Sequence, residues 1–411
     1  MHMEFRPEGD AAVFAAVPAA PAVFLLRGHD PQAEPYVSKT ANLRRRLLRL
    51  LGPAEERTRR LNLRERVARI EYAPTGSDFE SGFVLYKTLR EVFPKTYQDR
   101  LRLRMAPLVR MHMDNRYPRA SVTTHLSGTR SGSVFYGPFP SRAAAEKFTN
   151  DALDFFKMRR CVDELNPDPK FPGCVYSEMK MCLAPCFQGC TDEAYAAEVT
   201  RVEAFLESRG HSLVREISAA RDKASSDLEF ESAAALHTQL EKLKPVVAQL
   251  PEIVHRLDRL RALMVQPSAR PDSVTLFRIE GGCIADSVAF EISTRPPASA
   301  TPSATPLRPE AGATKKPHSM ESRILETLAA APPIVAASRQ ETMEHLAILK
   351  RWYFRSSKAG EIFFADESGE LPMRRVVRGI SRVFRGEKPA DDLSETTRDY
   401  WVNRGKEAEL S

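Results

Sequence analysis

Nowhere in the 411 residues is there a run of 18 apolar residues, so no segment is expected to cross a membrane as a helix, which needs about 20. A secretory leader is missing too. The apolar stretch from Ala11 to Leu26 is broken by Pro18 and Pro21, and Glu4, Glu8 and Asp10 precede it where a basic cluster would stand. A cytoplasmic location is therefore expected. Cysteine is scarce: there are six, and five fall between Cys161 and Cys190. In a reducing compartment such a cluster points to metal binding rather than to disulfides. Acidic residues are outnumbered, 54 Asp and Glu against 61 Lys and Arg, for a net charge of +7 and a pI near 9.1. That balance suits a polyanionic partner without requiring one.

What is present is patterned. The chain is too long for one core, and about two to four compact units are expected. Ten arginines lie between Leu43 and Ile70: Arg44, Arg45, Arg46, Arg49, Arg57, Arg59, Arg60, Arg64, Arg66 and Arg69. Arginine is the residue for planar, bidentate phosphate contacts, so this stretch is the candidate nucleic-acid face. A solvated helix face is the alternative.

Along the chain, residues 1–19 read as a flexible Ala/Pro tail. "AVFLL" from Ala22 and "PYVSK" from Pro35 form a hairpin-like pair of strands, and a basic helix follows from about Thr40 to Leu51 with Leu43, Leu47 and Leu50 at helical spacing. "ARIEYAPT" is a third strand, and Ser77 or Asp78 caps a helix running to about Phe93. Residues 20–104 thus make a small α/β unit. "RASVTTHL" and "SGSVFYGPF" are two strands heading a cysteine-rich region over 105–191. Residues 192–262 are helical by period, with almost no Gly or Pro before Pro245 and Pro251. A strand pair is expected over 263–293 and a disordered linker over 294–320, where Pro, Ser and Thr crowd together. Residues 321–411 show one amphipathic helix around "ETMEHLAILKRWYF" and no motif. The fold class is α+β and multidomain.

Seven stretches carry a family resemblance: "AVFLL", "YVSKTANLRRRL", "RIEYAPTGSDFES", "VFYGPFPS", "RRC", "CVYSEMKMCLAPC" and "LEFESAAALHTQLEKL". In order and spacing they resemble UvrC, the incision subunit of bacterial nucleotide excision repair, from about Pro21 to Leu250. Members of that family also carry a ribonuclease-H-like nuclease and helix-hairpin-helix elements, for which no match is found here. In extent the chain is similar to short, stand-alone UvrC-like excinuclease proteins.

The first unit resembles a GIY-YIG endonuclease domain. The resemblance implies that Tyr36 matches the second motif's tyrosine, Lys39 its following basic residue, and Arg46 the first-helix arginine. Phe24 stands in place of the first tyrosine, Ser38 in place of a motif Gly, Tyr86 in place of the metal-holding Glu, and Gln98 in place of a nearby Asn. Only Gly82, Phe83, Leu89 and Arg90 share the helix face of Tyr86, and none is acidic. Glu80 and Glu91 point elsewhere around the helix. Mg²⁺ and Mn²⁺ want carboxylate oxygens, so a nuclease scaffold without its metal site is expected, binding DNA through Lys39, Arg44, Arg45, Arg46 and Arg49. In the alternative, Phe24 and Tyr36 are plain core aromatics.

Cys161, Cys174, Cys182 and Cys186 show one tight pair, in "CLAPC", which by spacing alone leaves metal binding and four unconnected thiols both open. The resemblance implies that these four hold an iron-sulfur cluster, with zinc using the same ligands and Cys190 standing outside the set. It also implies a UVR motif at about 215–250, a helical hairpin that binds the matching motif of UvrB, with Phe230, Ala233, Ala234, Leu240 and Leu243 on the partner-binding face. Leu236, Leu240, Leu243, Val247 and Leu250 form an apolar seam, which an internal core helix would show as well; left uncovered it would support self-association. The function expected is that of a DNA-repair accessory factor binding DNA and a UvrB-type protein. The alternatives are an active endonuclease using Mg²⁺ or Mn²⁺ for the 3-prime incision, and a metal-cluster redox sensor.

Overall fold

The computed structural model describes residues 1–53, 61–126, 132–162, 164–292, 319–334 and 338–387. The first sheet is antiparallel, with strands β1 (His2–Glu4), β2 (Ala22–Gly28), β3 (Tyr36–Thr40) and β4 (Val67–Pro74) in the order β1-β4-β2-β3. Residues 1–19 are therefore no loose tail. β1 pairs with β4, helix α1 (Asp10–Ala16) follows, and Phe5, Phe14 and Val17 are buried. Three large apolar side chains offset the ordering of this short segment.

Helix α2 (Leu43–Leu51) covers one face of this sheet, with Leu43, Leu47, Leu50 and Leu51 turned inward onto Phe24, Leu26, Ile70 and Tyr72. Helix α3 (Asp78–Val92) starts at Ser77, whose side chain accepts the Glu80 N–H, and α4 (Tyr97–Leu101) follows.

A second antiparallel sheet joins β5 (Leu108–His112), β6 (Ala120–Thr123), β7 (Ser133–Gly137) and β8 (His255–Arg256) in the order β6-β5-β7-β8. The two expected strands are present, but a strand between them in space, β5, was not foreseen. Helix α5 (Arg142–Leu153) packs on this sheet, the short α6 (Val175–Glu178) lies among the cysteines, and α7 (Asp192–Glu207) leads into an antiparallel pair, α8 (His211–Ser226) and α9 (Phe230–Ala248). Regular helix ends at Ala248, short of the expected limit, and Pro245 lies inside α9.

The expected strand pair is part of a five-stranded sheet: β9 (Arg261–Pro267), β10 (Ser273–Glu280), β11 (Cys283–Ile284), β12 (Val288–Glu291) and β13 (Glu361–Phe364). Helices α10 (Met320–Ala330) and α12 (Met373–Arg385) lie on one face over Leu263, Val265, Val274 and Phe363. Ala262, Met264, Phe277 and Ile279 point the other way, into a core shared with α11 (Arg339–Tyr353), α3, the second sheet and α9. The C-terminal region is thus packed against the first unit. A Cβ added at Gly76, just before α3, would meet the Pro267 carbonyl oxygen at 2.1 Å. Of the expected linker, residues 294–318 fall outside the described residues, and its last two, Ser319 and Met320, cap and begin α10.

Candidate functional site

The basic helix divides its arginines between structure and surface. Asn42 caps α2 by accepting the Arg45 N–H at 2.9 Å. Arg44 donates through Nε to the Val17 carbonyl at 2.9 Å and through Nη2 to that of Ala15 at 3.2 Å, so it serves the C-terminal end of α1. Two of its donors are thus spent inside the chain rather than on the expected DNA face. Arg64 is likewise internal, donating to Asp10, Leu51 and Pro7. Arg27 and Arg69 share the Glu71 carboxylate. Arg45, Arg49 and Arg66 are exposed, while Arg57, Arg59 and Arg60 lie outside the described residues.

Arg46 and Tyr36 do meet: Arg46 Nη2 donates to the Tyr36 hydroxyl at 3.0 Å, and the Tyr36 and Phe24 rings are 6.0 Å apart. Strand alternation sends Lys39 to the other face of β3, where it pairs with Asp78 at the start of α3. Arg355 joins the same carboxylate. Asp78 is held below the usual carboxylate range because these two cations outweigh its burial.

Tyr86 is not with the other candidate catalytic residues. It is 1 % exposed and belongs to the large core, whereas Phe24 and Tyr36 belong to the small one beneath α2. Its hydroxyl donates to Oε2 of the fully buried Glu344 on α11 at 2.9 Å. Oε1 of Glu344 accepts from Tyr97, Gln98 and Gln340 at 2.9, 3.0 and 2.9 Å. Arg90 holds Glu341, one turn of α11 away. Burial and the adjacent Glu344 raise the Tyr86 pKa well above its ordinary value, so the phenol stays protonated. Glu344 therefore has four neutral donors and is satisfied as a buried carboxylate. Nothing in the local sequence signals this contact, because Glu344 lies 258 residues from Tyr86. On another side of α3, Glu91 with Thr88 lines a cavity of about 340 Å³ against Phe24, Leu25 and Tyr72.

The cysteines gather loosely. Cys161, Cys174, Cys182, Cys186 and Cys190 are all partly buried and carry no disulfide. Burial pushes the Cys182 thiol up to about 11, and Cys161, Cys186 and Cys174 add to it, against an N–H from Ala184 that donates to the sulfur at 3.3 Å. Arg159 Nη1 approaches Cys161 Sγ at 3.6 Å. Among the described residues, however, no three His, Cys, Asp or Glu side chains converge closely enough to hold a metal ion.

The helical pair is split between core and surface. Leu240 and Leu243, expected on the partner face, are 3 % and 0 % exposed and belong to the chain's own core, as do Val246 and Leu250. The seam is covered by this chain because α9 runs along α5 and α8. The other end is open: Leu228 and Phe230 are 73 % and 67 % exposed, Ala234 is exposed and Ala233 half-buried. Among the described residues no helix is long and apolar enough to cross a membrane.

Comparisons with known proteins fall on the middle of the chain. Residues 106–205 match the family model described as UvrC/Cho excinuclease, middle domain, and residues 212–244 match the UvrB/uvrC motif. UvrABC system protein C of Alcanivorax borkumensis is 31% identical over 212 residues, covering 51% of this chain and 34% of that protein. The protein of the same description from Pseudomonas fluorescens is 29% identical over 238 residues, covering 58% and 38%, and that from Aromatoleum aromaticum 28% over 244, covering 58% and 39%. The chain thus spans between a third and two fifths of the length of these relatives. No solved structure matches it.

Proposed function

We propose, starting from this kinship with UvrC, that the chain is a nucleotide-excision-repair factor that binds DNA and a UvrB-type protein and whose nuclease-like first unit does not cleave. One observation carries the reading. Tyr86 and Gln98, at the positions matching the family's metal-holding Glu and a nearby Asn, both donate to Glu344, so the chain's own α11 fills that helix face. On Glu344, Oε1 already accepts three protein donors and Oε2 accepts Tyr86, which leaves little of this carboxylate for a hard cation. Arg45, Arg49 and the Tyr36–Arg46 pair remain as a phosphate-binding surface, which supports a GIY-YIG-like scaffold kept for binding. Incubation with damaged duplex, UvrA, UvrB and Mg²⁺ or Mn²⁺ tests the reading; the expected product is a complex without a nick.

The exposed tip of the helical pair, Leu228 with Phe230, supports UvrB as the protein partner. An aromatic anchor on a short hairpin supplies contact area at little rotamer cost. Self-association through the same tip is the competing use, since two copies would offer matching surfaces.

For the cysteines the reading is an iron-sulfur cluster or zinc on Cys161, Cys174, Cys182 and Cys186. By chemistry the donor set suits such a group: burial raises the Cys182 thiol and the neighbouring Cys161, Cys186 and Cys174 add to it, a penalty that a cation would relieve, and the Ala184 N–H already donates to its sulfur. Closing the site requires the 174–186 segment to draw its thiols inward. Such a group would supply a structural crosslink between the middle sheet and α7.

A second reading, an active endonuclease with Mg²⁺ or Mn²⁺, has one observation in its favour. Glu91 and Phe24 line the same cavity, which places a carboxylate near the first tyrosine's position.

A further inference from the structure

The outer face of the second sheet carries cationic and hydroxyl side chains that neither α2 nor the helical pair uses. Register places Arg110 opposite Ser121 and Phe135, and His112 opposite Ser133, so these five share one face. Arg119, two residues before Ser121, has the same parity. Val109, Met111 and Tyr136 point to the other face and are buried toward α5, whereas the outer-face residues are all half-exposed.

The charges on this face are unbalanced. Arg110 donates to the Ser133 hydroxyl through Nε and Nη2 at 3.0 and 2.8 Å, and His112 Nε2 meets the Ser121 hydroxyl at 2.7 Å. Neither Arg110 nor Arg119 makes an ion pair with a described residue, and Arg119 Nε is buried without a hydrogen-bond partner among them. The buried Arg159 lies alongside, donating to the Tyr117 carbonyl at 2.9 Å. Burial, then Arg159 and Arg110, depress the pKa of Arg119, against Cys161. Burial and the three guanidiniums also hold His112 at about 4, against the Asp114 carboxylate, so the ring is neutral near pH 7. Three guanidiniums brought together over a half-buried sheet repel one another, and an anion seated among them removes that repulsion while pairing the orphaned Nε.

The neighbour of this patch says which anion. The half-exposed Phe135 ring lies beside Arg110, with Cζ 5.8 Å from the ring centroid. A ring next to phosphate-binding groups on an open sheet is the arrangement that takes unpaired nucleotides, because stacked bases in a duplex present no face to it. We propose that the outer face of β5, β6 and β7 is a second nucleic-acid surface, where Arg110 and Arg119 hold backbone phosphates of a single-stranded stretch and Phe135 stacks on a base. This deepens the DNA-binding reading above and rests on it.

Fluorescence anisotropy of the full chain tests it, using a labelled oligo-dT of about 20 nucleotides and a duplex of equal length across a salt series. Arg110→Gln with Arg119→Gln is expected to weaken single-strand binding about tenfold or more and to reduce the salt slope by roughly 1.4, at about 0.7 per phosphate. Restoring charge with Arg110→Lys and Arg119→Lys should recover most of the affinity, which separates a phosphate role from misfolding. Phe135→Leu should weaken the single strand several-fold and leave the duplex unchanged. Unaltered single-strand affinity in the Gln pair overturns the proposal, as does loss of cysteine-bound metal in that pair with DNA affinity intact, since the cations would then serve the thiols. Absence of nucleic-acid binding by the wild-type chain would instead refute the DNA-binding reading itself. Weakening caused only by Arg45→Ala with Arg49→Ala keeps that reading and removes this surface.

Discussion

Arg44 and Arg45 are adjacent in sequence and differ in use. Arg44→Ala removes the donors to the Val17 and Ala15 carbonyls and is expected to lower stability by about 1–3 kcal/mol in urea denaturation, with DNA affinity nearly unchanged. Arg45→Ala with Arg49→Ala should do the reverse, leaving the urea midpoint alone while weakening binding alike across sequences and more strongly at low salt. An equal loss of affinity in Arg44→Ala would return that residue to the surface. His345 supplies a pH signature. It is 5 % exposed between the rings of Phe83 and Tyr86, its Nδ1 accepts the Ile284 N–H at 3.1 Å, and burial lowers its pKa from 6.5 to about 4. Between pH 6.5 and 4 the unfolded chain therefore binds the extra proton, so stability is full above this window and declines as pH falls through it. His345→Asn, which keeps an acceptor and cannot titrate, should flatten the decline in urea midpoint. An unchanged profile would remove His345 from the account.

At the level of elements, α9 changes character along its length. Phe230→Ala is expected to weaken binding to a UvrB tail about tenfold or more without altering stability, since a truncated aromatic anchor commonly loses about 2 kcal/mol. Leu243→Ala, fully buried here, should instead lower stability by about 2–5 kcal/mol and spare the partner's intrinsic affinity. Titration calorimetry beside urea melts separates the two; identical effects from both substitutions would make the hairpin plain core. The stripe from Leu236 to Leu250 was readable in the sequence as apolar spacing, yet spacing says only that a face needs covering and not which chain covers it. Local signals were reliable where the cause is local: the Ser77 cap, the β2–β3 hairpin, the leucines of α2. They failed for β1, a three-residue strand before an Ala-rich stretch, and for β5, whose "LVRMH" is too short to show alternation. Lys39 and Tyr36 share a motif, but period-two alternation on β3 sends them to opposite faces.

Across the whole molecule, the C-terminal region that shows no motif packs onto the helix face that carries Tyr86. α11 reaches α3 and α4 through one buried carboxylate with four donors, a contact across some 250 residues that no periodicity can reveal. Anaerobically purified protein is expected to carry iron or zinc that is lost in Cys161→Ser, Cys174→Ser, Cys182→Ser or Cys186→Ser and retained in Cys190→Ser, as read by metal analysis. Finding neither metal would end the cluster reading, and zinc alone would keep the site with different chemistry.

The central claim is that a nuclease-like unit here binds DNA with its metal face filled by Tyr86, Gln98 and Glu344. A nicking assay on a damaged duplex with UvrA, UvrB and either Mg²⁺ or Mn²⁺ tests this most directly, with Arg46→Ala and Glu91→Gln run alongside. The account predicts intact strands in every lane while the wild-type chain is retained on the DNA; a nick 3-prime to the lesion that disappears in Arg46→Ala or Glu91→Gln would contradict it.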